Sequence, residues 1–208
     1  MITSNLHIPY TIGLLVVIAI LIPLFEPSVA GAVTDNVVVT QSVTTGITIS
    51  SPADITMTAL STTQNSAVGS AAWTVTTNDQ AGYTLSVATT QYDALRDGGT
   101  GRYFTDFASS SPTTWSVSNA YKFGMSARGT HTTGFGSDAD CIAGADVPSA
   151  TLLWTGFKST TGIQVASSTS ETGTSGTATT MCIATEQSGI FAPSGSYTAT
   201  ITATATAL

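Results

Sequence analysis

Two runs of residues that alternate between apolar and polar meet across a short polar turn between Ser70 and Thr90, SAAWTVTTNDQAGYTLSVATT. In the first, Trp73, Val75 and Thr77 fall on one side of an extended chain and Thr74 and Thr76 on the other. In the second, Tyr83, Leu85 and Val87 oppose Thr84, Ser86 and Ala88. A period of two is that of a half-buried β-strand, not of an amphipathic helix. Asn78, Asp79 and Gly82 between the runs tolerate positive φ or bond their own backbone, so the stretch is expected to form a β-hairpin with one core face and one threonine face.

The same pattern recurs along much of the chain. Val37, Val39 and Val43 keep a period of two, Ile47 and Ile49 follow a break at Gly46, and Ile55 and Met57 follow Ser51-Pro52. These predict two or three strands, with a polar loop from Ser61 to Gly69 before the hairpin. Tyr92 to Asn119 reads as a long excursion between sheets, with one helical turn near Tyr92 to Leu95. Strand signal returns at Tyr121 to Ala127, at Leu152 to Trp154 and at Ile163 to Ala166, with a glycine-rich loop from Gly129 to Asp146. Ser167 to Thr180, SSTSETGTSGTATT, reads as a low-complexity linker, and Met181 to Glu186 as a further strand. In the closing YTATITATATAL, Tyr197, Ala199, Ile201, Ala203 and Ala205 face one way and threonines the other. Threonine there keeps strand propensity while staying wettable. About ten short strands at near-regular spacing, with no helical pattern between them, predict an all-β antiparallel β-sandwich of Ig-like or Greek-key connectivity; a closed barrel is the alternative.

Only 8% of the 208 residues are charged, with Lys+Arg 5 against Asp+Glu 12 and a net charge of −7. An ordinary globular protein is about a quarter charged, so hydroxyls and amides must keep this surface wet, a habit of secreted proteins. The acidic balance leaves no footprint for nucleic acid or for an anionic membrane.

Residues 1–32 carry a hydrophobic run from Ile12 to Phe25, ended by Glu26-Pro27 and followed by small residues. At about 14 residues it suits a signal-peptide helix and falls short of the roughly 20 that span a bilayer. Ala30-Gly31-Ala32 sets cleavage before Val33, and Ser28-Val29-Ala30 is a second option. No Lys or Arg precedes the run, so an uncleaved anchor is the rival reading. Both readings put residues 33–208, taken as one domain with an elaborated 92–119 excursion, outside the cytoplasm.

Cys141 and Cys182 are the only cysteines. In an exported chain an even count reads as a disulfide, here closing a loop of about 40 residues worth about 3 to 4 kcal/mol in the chain-entropy model. A redox or metal pair would want CxxC spacing or partner histidines. His131 is the only histidine after the leader and has no second ligand or orienting acid near it in sequence. No GxSxG or SxxK motif occurs, and no catalytic residue is assigned. Asp138, Asp140 and Asp146 offer oxygen ligands for Ca²⁺, though not at EF-hand spacing; no other cofactor is expected. Among the large aromatics, Trp73 and Trp154 sit in strand patterns where burial is expected. Trp115, flanked by Ser and Thr, is the ring expected to be exposed, and with Tyr103 and Tyr121 it forms the candidate ligand-binding set.

Ala72-Trp73-Thr74-Val75 and Trp115-Ser116-Val117, with Val in the place of Leu, resemble the WxL surface domains of bacteria, exported Thr-rich β-sandwiches that associate with the cell wall. The closing YTATITATATAL resembles the last strand of spore-coat-U and pilin-like sandwich proteins. With WTVTTND and GYTLSV, the chain is similar to small secreted surface proteins of bacteria. That resemblance implies an envelope location and a sandwich fold, and it brings no catalytic residue.

Three functions are weighed on these grounds. The first is a non-enzymatic, cell-surface structural or adhesive protein that self-associates by strand addition through Val33 to Ser50 or Tyr197 to Leu208. The second is a glycan- or peptidoglycan-binding module, and the third a secreted hydrolase.

Overall fold

A computed structural model describes residues 35–107, 111–136, 140–157 and 162–208; the expected leader helix lies outside them. Those residues are all-β and contain no helix. The strands in chain order are β1 (Ile47–Ile49), β2 (Ser66–Thr77), β3 (Tyr83–Thr89), β4 (Arg96–Asp97), β5 (Thr105–Asp106), β6 (Thr113–Thr114) and β7 (Ala120–Arg128). There follow β8 (Ile142–Gly144), β9 (Val147–Pro148), β10 (Leu153–Trp154), β11 (Ile163–Ser168), β12 (Thr177–Ser188), β13 (Tyr197–Thr198) and β14 (Ile201–Ala207). One compact unit spans Val43–Leu208.

The main sheet has the order β1-β2-β12-β7-β5 and the second the order β11-β3-β14. β2 and β3, expected to pair as a hairpin, lie in different sheets. Their alternation is as read, with Trp73, Val75 and Thr77 buried on β2 and Tyr83, Leu85 and Val87 buried on β3. A hairpin would set both apolar faces on the same side of one ladder. Separating the arms instead puts Trp73, Val75, Tyr83, Leu85 and Val87 in one core cluster with Phe123 and Met125. The turn at Asn78 to Gly82 makes this crossing. Gly82 N–H bonds the Asp79 carbonyl at 3.0 Å, and Ala81 N–H bonds the Asp79 side chain at 2.9 Å. Gly82 has φ +91°, and a Cβ there would stand 2.1 Å from the Ser168 carbonyl oxygen, so only glycine fits.

β12 is the central strand and pairs antiparallel with both β2 and β7. Its Met181 to Thr185 segment is buried on both faces, as a strand covered on both sides must be. Met181 and Ile183 join the first cluster, whereas Cys182 and Ala184 join a second with Val68, Phe107, Cys141, Leu152 and Trp154. The even-numbered residues of β7 on that second face include Gly124 and Ser126. Their small size leaves room for the aromatic rings of the excursion.

Several expectations are corrected. Val37, Val39 and Val43 form no strand, and together with Val38 they are 79 to 87% exposed, because no ladder forms on either side of them. Ile55 and Met57 are not in a strand either; they pack against the first cluster, over Gly69. The expected loop Ser61–Gly69 ends earlier, since β2 begins at Ser66. Ser167 to Thr180 is not a linker throughout, because β11 runs to Ser168 and β12 starts at Thr177, where buried Thr179 continues the alternation. The helical turn at Tyr92 to Leu95 is absent. There Asp93, at φ +46°, exchanges backbone-to-carboxylate bonds with Asp106 at 2.9 and 3.0 Å and holds the chain in a bend. Pairing is not purely antiparallel, because the two-residue β5 runs parallel to β7, its chain arriving from the excursion rather than from a turn.

Candidate functional site

The disulfide expected between Cys141 and Cys182 is present, with Cα atoms 5.4 Å apart and the two residues 41 apart in sequence. It ties the segment before β8 to the middle of β12. Such a bond points to folding in a non-reducing compartment. No helix among the described residues is long and apolar enough to cross a membrane.

The three aromatics predicted as a ligand set do not converge. Trp115 lies in the second cluster, its ring stacked on Phe107 at 4.6 Å and 15° and edge-on to Trp154 at 5.3 Å. Its indole N–H donates to Glu186 Oε2 at 2.5 Å, and the side chain is half-buried. Tyr121 belongs to the first cluster, on the opposite face of β7, where its ring meets the edge of Phe104 at 5.4 Å. Tyr103 stands apart from both, exposed on the excursion, with the Arg96 guanidinium 4.8 Å above its ring. Sequence reasoning missed Arg96 as the neighbour of Tyr103; an Arg and a Tyr within one excursion was the available signal.

A shallow cleft of about 310 Å³ opens beside Glu186 at the end of β12, lined by Thr62, Asn65, Gln187, Ser188, Gly189, Ile190 and Phe191. Its floor is held by Gln187, which donates from Nε2 to the Ser61 carbonyl and accepts from the Ala192 N–H.

Among the described residues four titratable groups have displaced pKa values, one of them Tyr197, whose hydroxyl is raised mainly by burial. Burial is the main cause at Asp106, pushing its carboxyl up to about 6 against the bonds it accepts from the Ala94 and Asp93 N–H groups. Asp97 goes the other way: hydrogen bonds from the Thr100 hydroxyl at 2.7 Å and the Gly99 N–H at 2.9 Å hold its carboxyl below the ordinary range. Burial raises the Tyr83 hydroxyl, which shares a 3.0 Å hydrogen bond with His131 Nδ1. His131 is thus half-buried against the core rather than a free loop residue.

Of the calcium candidates, Asp138 lies outside the described residues, Asp140 is exposed, and Asp146 is half-buried at φ +60°. Among the described residues no group of three His, Cys, Asp or Glu side chains is placed to hold a metal ion.

The last feature is an edge. β14 borders the second sheet and pairs with β3 in the register Ala207↔Tyr83 to Ile201↔Thr89. Leu208 N–H bonds the Gly82 carbonyl, so by the alternation of an antiparallel ladder Thr206, Thr204 and Thr202 bond to β3. The N–H and C=O groups of Ala207, Ala205 and Ala203 then point away from the sheet, along an edge that no strand covers among the described residues. No family model, curated protein or solved structure matches this chain.

Proposed function

We propose that this chain is a non-enzymatic, exported structural protein of the cell surface that self-associates by strand addition. Its body on this reading is a β-sandwich, the second sheet laid over the first around the cluster of Trp73, Tyr83, Leu85 and Phe123. Export is supported by the leader-like pattern in residues 1–32 and is consistent with the disulfide. The observation that carries self-association is the pairing of two unsatisfied features. Residues 35–42 expose three consecutive valines and form no strand, while β14 offers an open row of backbone groups. Valine has strong strand propensity, and an uncovered edge is a template for another chain. Threonines on the outer side of β14 keep that edge wettable without the charged residues that usually guard one.

The test is the mass of the whole chain, exported through an oxidising route, measured by size exclusion with light scattering over a range of concentrations. Concentration-dependent oligomers or filaments that vanish on deleting residues 35–42 are expected. A monodisperse monomer at every concentration would sink the reading.

A further inference from the structure

The cleft at the end of β12 is bounded by two turns that one buried side chain ties together. Gln187, 4% exposed, donates from Nε2 to the Ser61 carbonyl at 2.7 Å and accepts from the Ala192 N–H at 3.0 Å. Its own N–H bonds the Asn65 carbonyl at 2.9 Å. The turn at Ser61 is closed from within, because the Ser61 hydroxyl accepts from the Thr63 and Gln64 N–H groups at 3.2 and 3.0 Å. Gly189, at φ +72°, lies so close to Asn119 that a Cβ there would strike Asn119 Oδ1. The walls of the cleft are thus set before any ligand arrives, which lowers the ordering cost of binding.

The groups along those walls are unspent. Thr62, Asn65 and Ser188 line the cleft, and their side-chain polar atoms have no partner among the described residues. Ile190 and Phe191 line it too and are 49% and 59% exposed, although an apolar side chain gains by burial. Glu186 is the only charged residue lining it, and its Oε2 is taken by the Trp115 indole N–H. An anionic ligand would therefore meet a carboxylate and no cation, on a chain of net charge −7.

We infer that this cleft binds a single hexopyranose unit of a neutral polysaccharide. The apolar C–H face of the ring suits Phe191, and its hydroxyls, each a donor and an acceptor, suit the amide of Asn65 and the hydroxyls of Thr62 and Ser188. At about 310 Å³ the cleft stands at the lower end of the range for small-molecule sites, which fits one sugar ring. No residue of β14 lines it, and the inference does not rest on self-association.

Affinity electrophoresis tests it with the whole chain in native gels containing dextran, galactomannan or hydroxyethylcellulose, and with polygalacturonate as the anionic counterpart. Retardation by at least one of the three neutral polymers, and none by polygalacturonate, is expected. Phe191→Ala should weaken apparent affinity about tenfold, the loss of a stacking face, whereas Phe191→Trp should keep it. Asn65→Ala should weaken it about fivefold, the loss of a neutral hydrogen bond. Both side chains are exposed, and Asn65 bonds within the fold through its carbonyl, so circular dichroism should be unchanged in these variants. Tyr92→Ala removes an exposed ring outside the cleft and should bind like the parent. No retardation by any neutral polymer, equal retardation by polygalacturonate, Phe191→Ala and Asn65→Ala binding like the parent, or an equal loss in Tyr92→Ala would each overturn the inference.

Discussion

Trp115 and Glu186 are joined by an indole N–H to carboxylate hydrogen bond across 71 residues of sequence, closing the second cluster at its rim. The bond holds the excursion down on β12, because the indole is also stacked on Phe107 and set against Trp154. Replacing Trp115 with Ala removes the ring contacts and the bond together and should cost about 2 to 4 kcal/mol in urea unfolding, less than a fully buried tryptophan. Glu186→Ala keeps the stack and loses only the acceptor, for a cost of about 1 to 2 kcal/mol. Equal costs for the two would show that the stack contributes nothing.

Gly124 is the floor beneath that indole. A Cβ there would meet Trp115 Cζ3 at 2.7 Å, Phe107 Cβ at 2.9 Å and the Thr155 carbonyl oxygen at 3.0 Å. Gly124→Ala should therefore push Trp115 outward, shift tryptophan emission to the red and lower stability by about 1 to 3 kcal/mol, the usual cost of overpacking. Unchanged emission would mean that the ring does not sit where the structure puts it.

The disulfide closes a loop defined by residues 41 apart. Loop-closure entropy for that length is about 4 kcal/mol, so Cys141→Ala with Cys182→Ala should lower the urea midpoint by that equivalent and leave the sheet signal in circular dichroism intact below the transition. Loss of all sheet signal in the absence of denaturant would mean that the bond is required for folding, not only for stability.

Asp106 predicts a pH dependence of definite sign. Its folded pKa is raised to about 6, above the unfolded value of about 3.8, so the folded state binds the proton more tightly. The stability this gives is fully present below about pH 3.8 and is lost as pH rises through 6. Solvent reaching the carboxylate screens the effect, which leaves on the order of 1 to 2 kcal/mol. Asp106→Asn should flatten that part of the stability profile between pH 4 and 7, measured by thermal unfolding. A parent profile that rises through this window by as much as the variant's would contradict the assignment.

How far these features were legible follows from what period-two patterning encodes. It reports which face of a strand is buried, and it did so at Trp73, Val75, Leu85 and Val87 and along Ile201 to Ala205. It carries no information about which strand lies alongside, so the arms at Trp73 and Tyr83 read as a hairpin when each serves a different sheet. Val37 to Val43 keeps the pattern without a ladder, because pattern and propensity do not by themselves supply a partner. Threonine misled in the opposite direction, since Thr177 to Thr180 looked like low-complexity loop and proved to be the start of the central strand. Trp115 looked exposed because its neighbours in sequence are Ser and Thr, whereas the rings that half-bury it come from Phe107 and Trp154. The disulfide was legible because two cysteines allow a single pairing.

The β14 edge permits a test in which folding and assembly separate. Ala205 pairs with Leu85 at a position whose N–H points away from β3, while Thr204, paired with Ser86, bonds toward it. Proline removes an N–H and is tolerated only where a strand faces no partner. Ala205→Pro should therefore keep the fold, with its melting temperature within a few degrees of the parent, and abolish concentration-dependent oligomers in light scattering. Thr204→Pro should break the ladder to β3 and destabilise the monomer by about 3 kcal/mol or more. Assembly of Ala205→Pro at the parent's concentrations would mean that chains join through some surface other than β14. A larger loss of stability in Ala205→Pro than in Thr204→Pro would mean that the ladder runs in the opposite phase, with the alanines bonded to β3 and the threonines on the open side.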